Sequence, residues 1–316
     1  MIETQQRIGA VVLTYNSSED LLNCLIGLRA QQGVNLQIIV VDNASKPDER
    51  SRLKAIFLEV LPMGIILPAN GTMDVDASAV FLCNDINSGY SAGNNIGARF
   101  AVASGCEAVL IINPDARIED PDYLVELFGL ITVNTKTAVA CSALTNLLGI
   151  HENPMIELGF WEEFFWPLQM IIKRFFYRQI IRKPSFNKPQ RVEKVSGACF
   201  LIRTDFLLQI DYFDETVFLY CEEAILSAQV QRAGWNMMMD PRQHALHSHS
   251  HSSMAEGKQY NRYMNWAKSR GKFHATYSQY GVLRQAFLAE SRRTILVLIW
   301  LKMILKKLFK AVVKFL

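Results

Sequence analysis

The sequence is poor in paired cysteines. Its six (Cys24, Cys83, Cys106, Cys141, Cys199 and Cys221) are scattered over 316 residues, with no CxxC pair and no metal-ligand spacing. That excludes a disulfide-framed fold and reads as small buried thiols in a reducing compartment. A GxGxxG dinucleotide fingerprint, a GK[ST] phosphate loop and an HExxH zinc helix are all missing. No Gly-rich, basic triphosphate-binding loop opens the chain, which disfavours a nucleotidyltransferase. Charge of one sign is not in excess either: the net +3 gives no case for nucleic acid. No cleavable apolar segment with a basic lead follows Met1, so a cytoplasmic location is expected. Internal repeats and low-complexity linkers are absent, apart from a short His/Ser tract at 247–253.

What is present is a foldable chain, half hydrophobic and one fifth charged, long enough to bury a full core. From Ile8 to about Leu144, short apolar runs alternate with amphipathic stretches. Ile8–Tyr15, Leu36–Asp42, Ala79–Cys83, Ala108–Ile112 and Thr137–Ala143 read as buried strands. Ser18-Glu19-Asp20 caps a helix running to about Ala30. Alternating β and α units predict an α/β fold with a mostly parallel, doubly wound sheet, its ligand lying beyond the carboxyl ends of the strands. Further on, a strand over Val195–Ile202, a short helix, an extended approach through Phe218–Tyr220 and a helix carrying Glu222 and Glu223 near its start are expected.

Three polar signatures sit where such strands would stop or the next helix begin: VVDNAS, NSGYSAGNNIG and INPDA. Asp42 can accept the imide N–H of a uracil or thymine ring, with Thr14, Tyr15 and Asn16 flanking the base and Asn43 beside it. The amides of Asn87, Asn94 and Asn95 can bond ribose or sugar hydroxyls, while Gly89, Gly93 and Gly97 leave room for backbone to approach a ligand. In Asn113-Pro114-Asp115, one carboxylate beside an amide suits one coordination position on Mg²⁺ or Mn²⁺, a nucleotide diphosphate supplying others. Each motif alone also describes an ordinary turn; their order carries the argument. Glu222 and Glu223 at a helix start are favoured by the dipole in the charged form that a base requires. Of His244, His247, His249 and His251, one imidazole could complete a metal shell.

Taken in order over residues 8–253, these pieces, with SGACFLIR, FDETVFLYCEE and QRAGW, resemble family-2 inverting glycosyltransferases of the GT-A fold, in their bacterial rhamnosyltransferase-like branch. The resemblance implies a GT-A domain over 1–255, with a nucleotide-binding half at about 1–120 and an acceptor half at about 121–255. It implies a dTDP-sugar or UDP-sugar donor, with dTDP-rhamnose foremost, held by Thr14, Tyr15, Asn16, Asp42, Asn43, Asn87, Gly89, Asn94 and Asn113. Asp115 takes the metal position with His247. Glu223 stands at the base position, where the family has Asp and this chain is one methylene longer; Glu222 is the alternative. Ile225-Leu226 and Gln229 replace the family's Asp-Leu and Arg. A catalytically weakened sugar-nucleotide-binding relative is the second reading.

Two segments depart from this rhythm. Phe160–Lys183 is crowded with aromatics and ends in cations, reading either as a helical insertion packed on the core or as an element facing membrane or acceptor. In the helical segment 256–316, Lys302, Lys306, Lys310 and Lys314 recur four apart among apolar residues. The uncharged run at 294–301 falls far below the ~18 residues of a spanning helix. A helix on an anionic membrane surface is expected, or one packed on a partner subunit. Surface attachment agrees with a polyprenyl-diphosphate-linked glycan acceptor on the cytoplasmic leaflet and with a role in surface-polysaccharide assembly.

Overall fold

The computed structural model describes residues 6–71, 77–166, 168, 187–248 and 256–313, with side-chain surroundings up to Leu305 but not for 256–259. His249, His251, Lys314 and most of the 160–183 insertion lie outside the described residues, as do the side chains of Lys306 and Lys310. The chain divides into two units. One takes in Met1–Ile156, Ile181–Phe218 and Glu222–Ser250; the other takes in Glu157–Ile180, Leu219–Cys221 and His251–Leu316.

The first unit begins β1 (Arg7–Thr14), α1 (Ser18–Arg29), β2 (Asn35–Asn43), α2 (Pro47–Val60), β3 (Ile65–Pro68), β4 (Ala79–Asn84), α3 (Tyr90–Ala103) and β5 (Ala108–Ile112). It continues with β6 (Ala116–Ile118), α4 (Tyr123–Val133) and β7 (Thr137–Asn146). After α5 (Phe160–Phe164), which belongs to the second unit, come β8 (Gln190–Val192), β9 (Cys199–Arg203), α6 (Thr204–Gln209), α7 (Glu222–Arg232) and β10 (Asn236–His247). The strands form one sheet in the order β3-β4-β2-β1-β5-β9-β7-β10-β6, with β8 on β10.

Local chemistry explains the early elements. In α1 the buried Leu21, Cys24, Leu25 and Leu28 recur at helical spacing, with Glu19 and Asp20 in the first turn and Arg29 in the last, which suits the helix dipole. Pro47 opens α2 with Asp48 and Glu49 behind it. In β2, Gln37 through Asn43 are buried without interruption, as a strand covered on both faces requires. Alternate residues of β1 feed opposite cores. Ile8, Ala10 and Val12 pack with Leu21, Phe57 and Leu127 from α1, α2 and α4. Val11 packs with Ala98 of α3, Phe206 of α6 and Leu226 of α7.

Two local expectations change, and the mostly parallel sheet gains an antiparallel section. The parallel, doubly wound arrangement holds for β3, β4, β2, β1 and β5, but β9 runs antiparallel to both β5 and β7, so the sheet is mixed from there on. The strand expected at Val195–Ile202 starts only at Cys199. Ahead of it Ser196–Ala198 turns, the Ser196 N–H donating to Asn153 Oδ1 at 2.7 Å and the Gly197 carbonyl accepting the Tyr90 hydroxyl at 2.5 Å. The Phe218–Tyr220 approach is likewise not extended throughout, because Tyr220 and Cys221 have φ of 71° and 72°.

The second unit is built from α5, α8 (Glu256–Thr276) and α9 (Val282–Val313). At its centre the buried Glu163 carboxylate accepts from Arg270 Nε and Arg292 Nη1, both at 2.8 Å, and meets His274 Nε2 at 2.9 Å. Arg270 also pairs with Glu157. Phe160 contacts the rings of Phe164 and Tyr280 at 6.0 and 5.7 Å, and the Arg284 guanidinium lies 5.5 Å over it. Helix α9 buries Leu288, Ser291, Arg292, Ile295 and Ile299 and exposes Phe287, Val297, Trp300, Leu301 and Leu305. Among the described residues no helix is long and apolar enough to cross a membrane.

Candidate active site

Strand β1 lies between β2, reached through α1, and β5, reached through α3, so the winding reverses at its end. At such a switch point the crevice beyond the carboxyl ends is where α/β sheets bind ligands. The polar signatures gather on this rim. Thr14 is level with Asp42, Asn43 with Asn84, and Ile112 with both Val12 and Cys199. Strands β2 and β5 both flank β1, so their ends stand about 10 Å apart.

On the β2 side Asp42 is wholly buried. Its Oδ1 accepts from the Ser45 N–H at 3.2 Å and its Oδ2 from Arg50 Nε at 2.5 Å. The same guanidinium donates to the Asn84 carbonyl at 2.6 Å and to Asp85 at 3.0 Å. Arg50 therefore grips three points of the rim, a role with no mark in the sequence beyond its position one turn into α2. Thr14 donates its hydroxyl to the Val41 carbonyl. Asn16 adopts φ of 51° and accepts from the Lys46 N–H at 2.9 Å, lacing the β1 end to the DNAS turn. Tyr15 projects its ring outward, 54 % exposed.

The asparagines of the second signature serve the scaffold. Asn43 donates to Asn87 at 3.1 Å and to the Gly89 carbonyl at 3.2 Å, and accepts from Asn84 at 2.9 Å. Asn87 also accepts from the Gly89 N–H. Asn94 is wholly buried in the second turn of α3, donating to the Tyr90 carbonyl, and Asn95 holds Phe213 and Glu215. The glycine reading needs correction too. A Cβ on Gly93 or Gly97 would come within 2.5 Å of Leu13 or Val11, so these glycines seat α3 on the sheet. Gly89, at φ of 107°, is required because a Cβ there would lie 2.3 Å from the Phe218 carbonyl oxygen. Protein fills the room these three glycines leave.

On the β5 side the signatures converge. The Asn113 N–H donates to the Ala198 carbonyl at 2.8 Å. Next along, Gly197 faces Glu223, whose Oε1 would sit 3.5 Å from a Cβ at that position. Asn113, two residues before Asp115, is thus bonded to the Ser196–Ala198 turn, and Glu223 at the head of α7 lies against it. Tyr90, Glu222 and Glu223 share the lining of a small cavity there with Phe200 and Phe213. Burial, reinforced by the Glu222 and Glu223 carboxylates, holds the Tyr90 phenol well above its ordinary value, so it serves as a hydrogen-bond donor.

Asp115 and His247 also meet. Strand β10 runs antiparallel to β6, placing His247 opposite Ala116, and the Ser248 N–H donates to the Asp115 carbonyl at 2.7 Å. His247 Nε2 lies 3.3 Å from Asp115 Oδ1, and its Nδ1 lies 2.5 Å from Glu152 Oε2. Burial opposes charge on the imidazole, yet the hydrogen bonds to Asp115 and Glu152 raise it to about 9. One carboxylate oxygen and one imidazole nitrogen facing a common point are donors that Mg²⁺ or Mn²⁺ accept. Among the described residues no group of three or more His, Cys, Asp or Glu is arranged to hold an ion. Two such donors would leave the remaining positions of a cation to substrate and water. Of the other candidate histidines, His244 bonds Thr145 at 2.7 Å.

Comparison with known proteins bears on the fold and the family. The chain is 23% identical over 291 residues to the low-salt glycan biosynthesis hexosyltransferase Agl10 of Haloferax volcanii, covering 90% of this chain and 75% of that one. A shorter stretch of 77 residues, 24% of each chain, is 36% identical to the N-acetylglucosaminyl-diphospho-decaprenol L-rhamnosyltransferase of Mycobacterium tuberculosis. Among solved structures, the mannosyltransferase PcManGT from Pyrobaculum calidifontis, in complex with GDP-Man and Mn²⁺, superposes with a TM-score of 0.56 at 14% identity, over 92% of this chain and 70% of that one. GalNAc-T7 with UDP, GalNAc and Mn²⁺ gives the same TM-score at 11% identity, over 92% of this chain and 55% of that one. These likenesses make the fold GT-A. The family described as "Glycosyltransferase like family 2" matches residues 78–265, more than half of the sequence, and the chain belongs to that family: it is a glycosyltransferase.

Proposed function

We propose that this protein is an inverting, metal-dependent glycosyltransferase that moves a sugar from a nucleoside diphosphate to a hydroxyl of a lipid-linked or saccharide acceptor. The observation that carries this is the convergence on one rim of Asp115 with His247 and of Asn113 with the segment that receives Glu223. Asp42 and its Arg50 clamp, with Tyr15 outside, form the base-binding end. Asp115 and His247 would hold a Mg²⁺ or Mn²⁺ ion against the donor diphosphate, where it would neutralise charge gathering on the leaving group. Glu223 takes the proton of the acceptor hydroxyl, the hydroxyl oxygen bonds to the anomeric carbon, and the bond from that carbon to the diphosphate breaks with its electron pair leaving on the phosphate oxygen. Attack from the face opposite the leaving group inverts the anomeric centre.

The donor we favour is dTDP-rhamnose, supported by the short match to a rhamnosyltransferase, with UDP-hexoses second. The same relative's decaprenol-linked substrate supports a polyprenyl-diphosphate glycan as acceptor, and with it a role in surface-polysaccharide assembly. Peripheral attachment to the cytoplasmic face of a membrane fits the exposed Phe287, Val297, Trp300, Leu301 and Leu305 of α9 together with Lys302. A thermal-shift screen of dTDP-rhamnose, UDP-hexoses and GDP-mannose with Mn²⁺ tests the donor, because a ligand confined to the native state raises the melting temperature by mass action. Donor consumption with acceptor follows. A chain stabilised by none of these donors would end the reading.

A further inference from the structure

The inference concerns Glu152 and rests on the reading of Asp115 and His247 as the metal-holding pair. Glu152 lies in the loop after β7, six residues beyond its last strand position, with its N–H bonded to the Leu144 carbonyl at 2.7 Å. That backbone bond, together with the Thr145–His151 bridge, returns the loop against the strand end. It places Oε2 of Glu152 2.5 Å from His247 Nδ1, while Nε2 on the other side of the ring lies 3.3 Å from Asp115. The ring itself is buried, so its orientation is set by these two contacts rather than by water.

An imidazole binds a metal through one nitrogen only when the proton is on the other, and the partner of the second nitrogen decides which. Here the Glu152 carboxylate stands at Nδ1, and a cation bound on the Asp115 side would take the place of the Nε2 proton. We propose that Glu152 is the positioning residue of the metal site: it accepts a hydrogen bond from Nδ1–H, fixes the tautomer and angle of His247, and thereby sets the affinity for the divalent cation without touching it. Glu152 also keeps a second negative charge close to the ion, which strengthens the site electrostatically. It stands 95 residues from His247 in the sequence, so the arrangement belongs to the fold and to no local motif.

The test measures metal binding, independent of turnover. Mn²⁺ is titrated into the full chain with dTDP or with UDP, whichever retains more ion in the unaltered protein, and free Mn²⁺ is read by electron paramagnetic resonance. Glu152→Ala should weaken binding by about 10- to 100-fold, the scale of losing such an outer partner. Glu152→Gln, which still accepts from Nδ1 but lacks the charge, should recover part of that loss. Circular dichroism and melting of the metal-free variants report whether the fold is kept. If Glu152→Ala binds Mn²⁺ within twofold of the unaltered chain while Asp115→Ala does not bind it, Glu152 has no positioning role and the metal pair stands. If Asp115→Ala binds as well as the unaltered chain, the metal reading fails and the role of Glu152 with it.

Discussion

Two buried histidines of this molecule sit in clusters of different make-up. His247 lies between two carboxylates, Asp115 and Glu152. His274 shares the single Glu163 carboxylate with two guanidiniums, those of Arg270 and Arg292, and Glu157 then offsets Arg270. In the first cluster two carboxylates face one imidazole. The second closes on itself, its acids and bases nearly equal in number, and holds α5 to α8 and α9. The first is the cluster we propose for a cation, and in the second removing one partner would leave buried charge uncompensated.

The contrast can be broken most severely at the first cluster. Asp115→Ala should lower transfer by about 10³-fold, the scale of losing a preorganised electrostatic stabiliser, with the melting temperature of the metal-free chain nearly unchanged; donor consumption and a thermal scan check both. Glu223→Gln should cut the rate by about 10²- to 10⁴-fold while leaving Mn²⁺ binding intact, which separates the base from the metal pair. At the clasp the effect moves from rate to stability. Glu163→Gln leaves two guanidiniums facing an amide and should cost about 3–5 kcal/mol, read as a lowered denaturant midpoint.

A smaller effect follows from pH. Burial works against the Glu163 charge, but His274 and Arg270 outweigh it and hold the carboxyl near 2 instead of 4.5. A group depressed in the folded state contributes its full stabilisation above its unfolded value and loses it as pH falls toward the folded one. Stability of the unaltered chain should therefore decline between about pH 4.5 and pH 2, and Glu163→Gln should flatten that limb in acid-titrated melts. The smallest and most distributed effect belongs to α9: deletion of 294–316 should weaken flotation with anionic liposomes, each lysine contributing about 1 kcal/mol near the surface.

Much of the parallel half was legible in sequence because its strands are continuous β-branched runs that end in polar signatures. Ile38–Val41 and Ala108–Ile112 needed no tertiary information, and Asp115 was marked by what preceded it. The antiparallel half was harder: β9 is displaced because Ser196–Ala198 turns to meet Asn113 and Tyr90, a contact between distant segments. Glu152, Arg50 and Glu163 left no trace because each acts through a partner far away or on another face, and no spacing rule reaches them. The asparagines were legible as polar signatures, but their bonds to one another were not: Asn43 joins Asn87 and Asn94 donates to the Tyr90 carbonyl, holding still the surface that a substrate would meet.

Gly89 has a consequence for the reaction that its place in the loop conceals. The Phe218 carbonyl passes through the space where its side chain would be and accepts from the Tyr90 N–H at 3.0 Å. The stretch leading toward the acid pair is therefore hung directly on the first turn of α3, whose lower turns are seated on β1. Any bulk at residue 89 would act as a wedge, displacing the Phe218 carbonyl and the chain that leads on to Glu222 and Glu223. On the proposed reading, the spacing between base and sugar then depends on one hydrogen atom where other residues carry carbon.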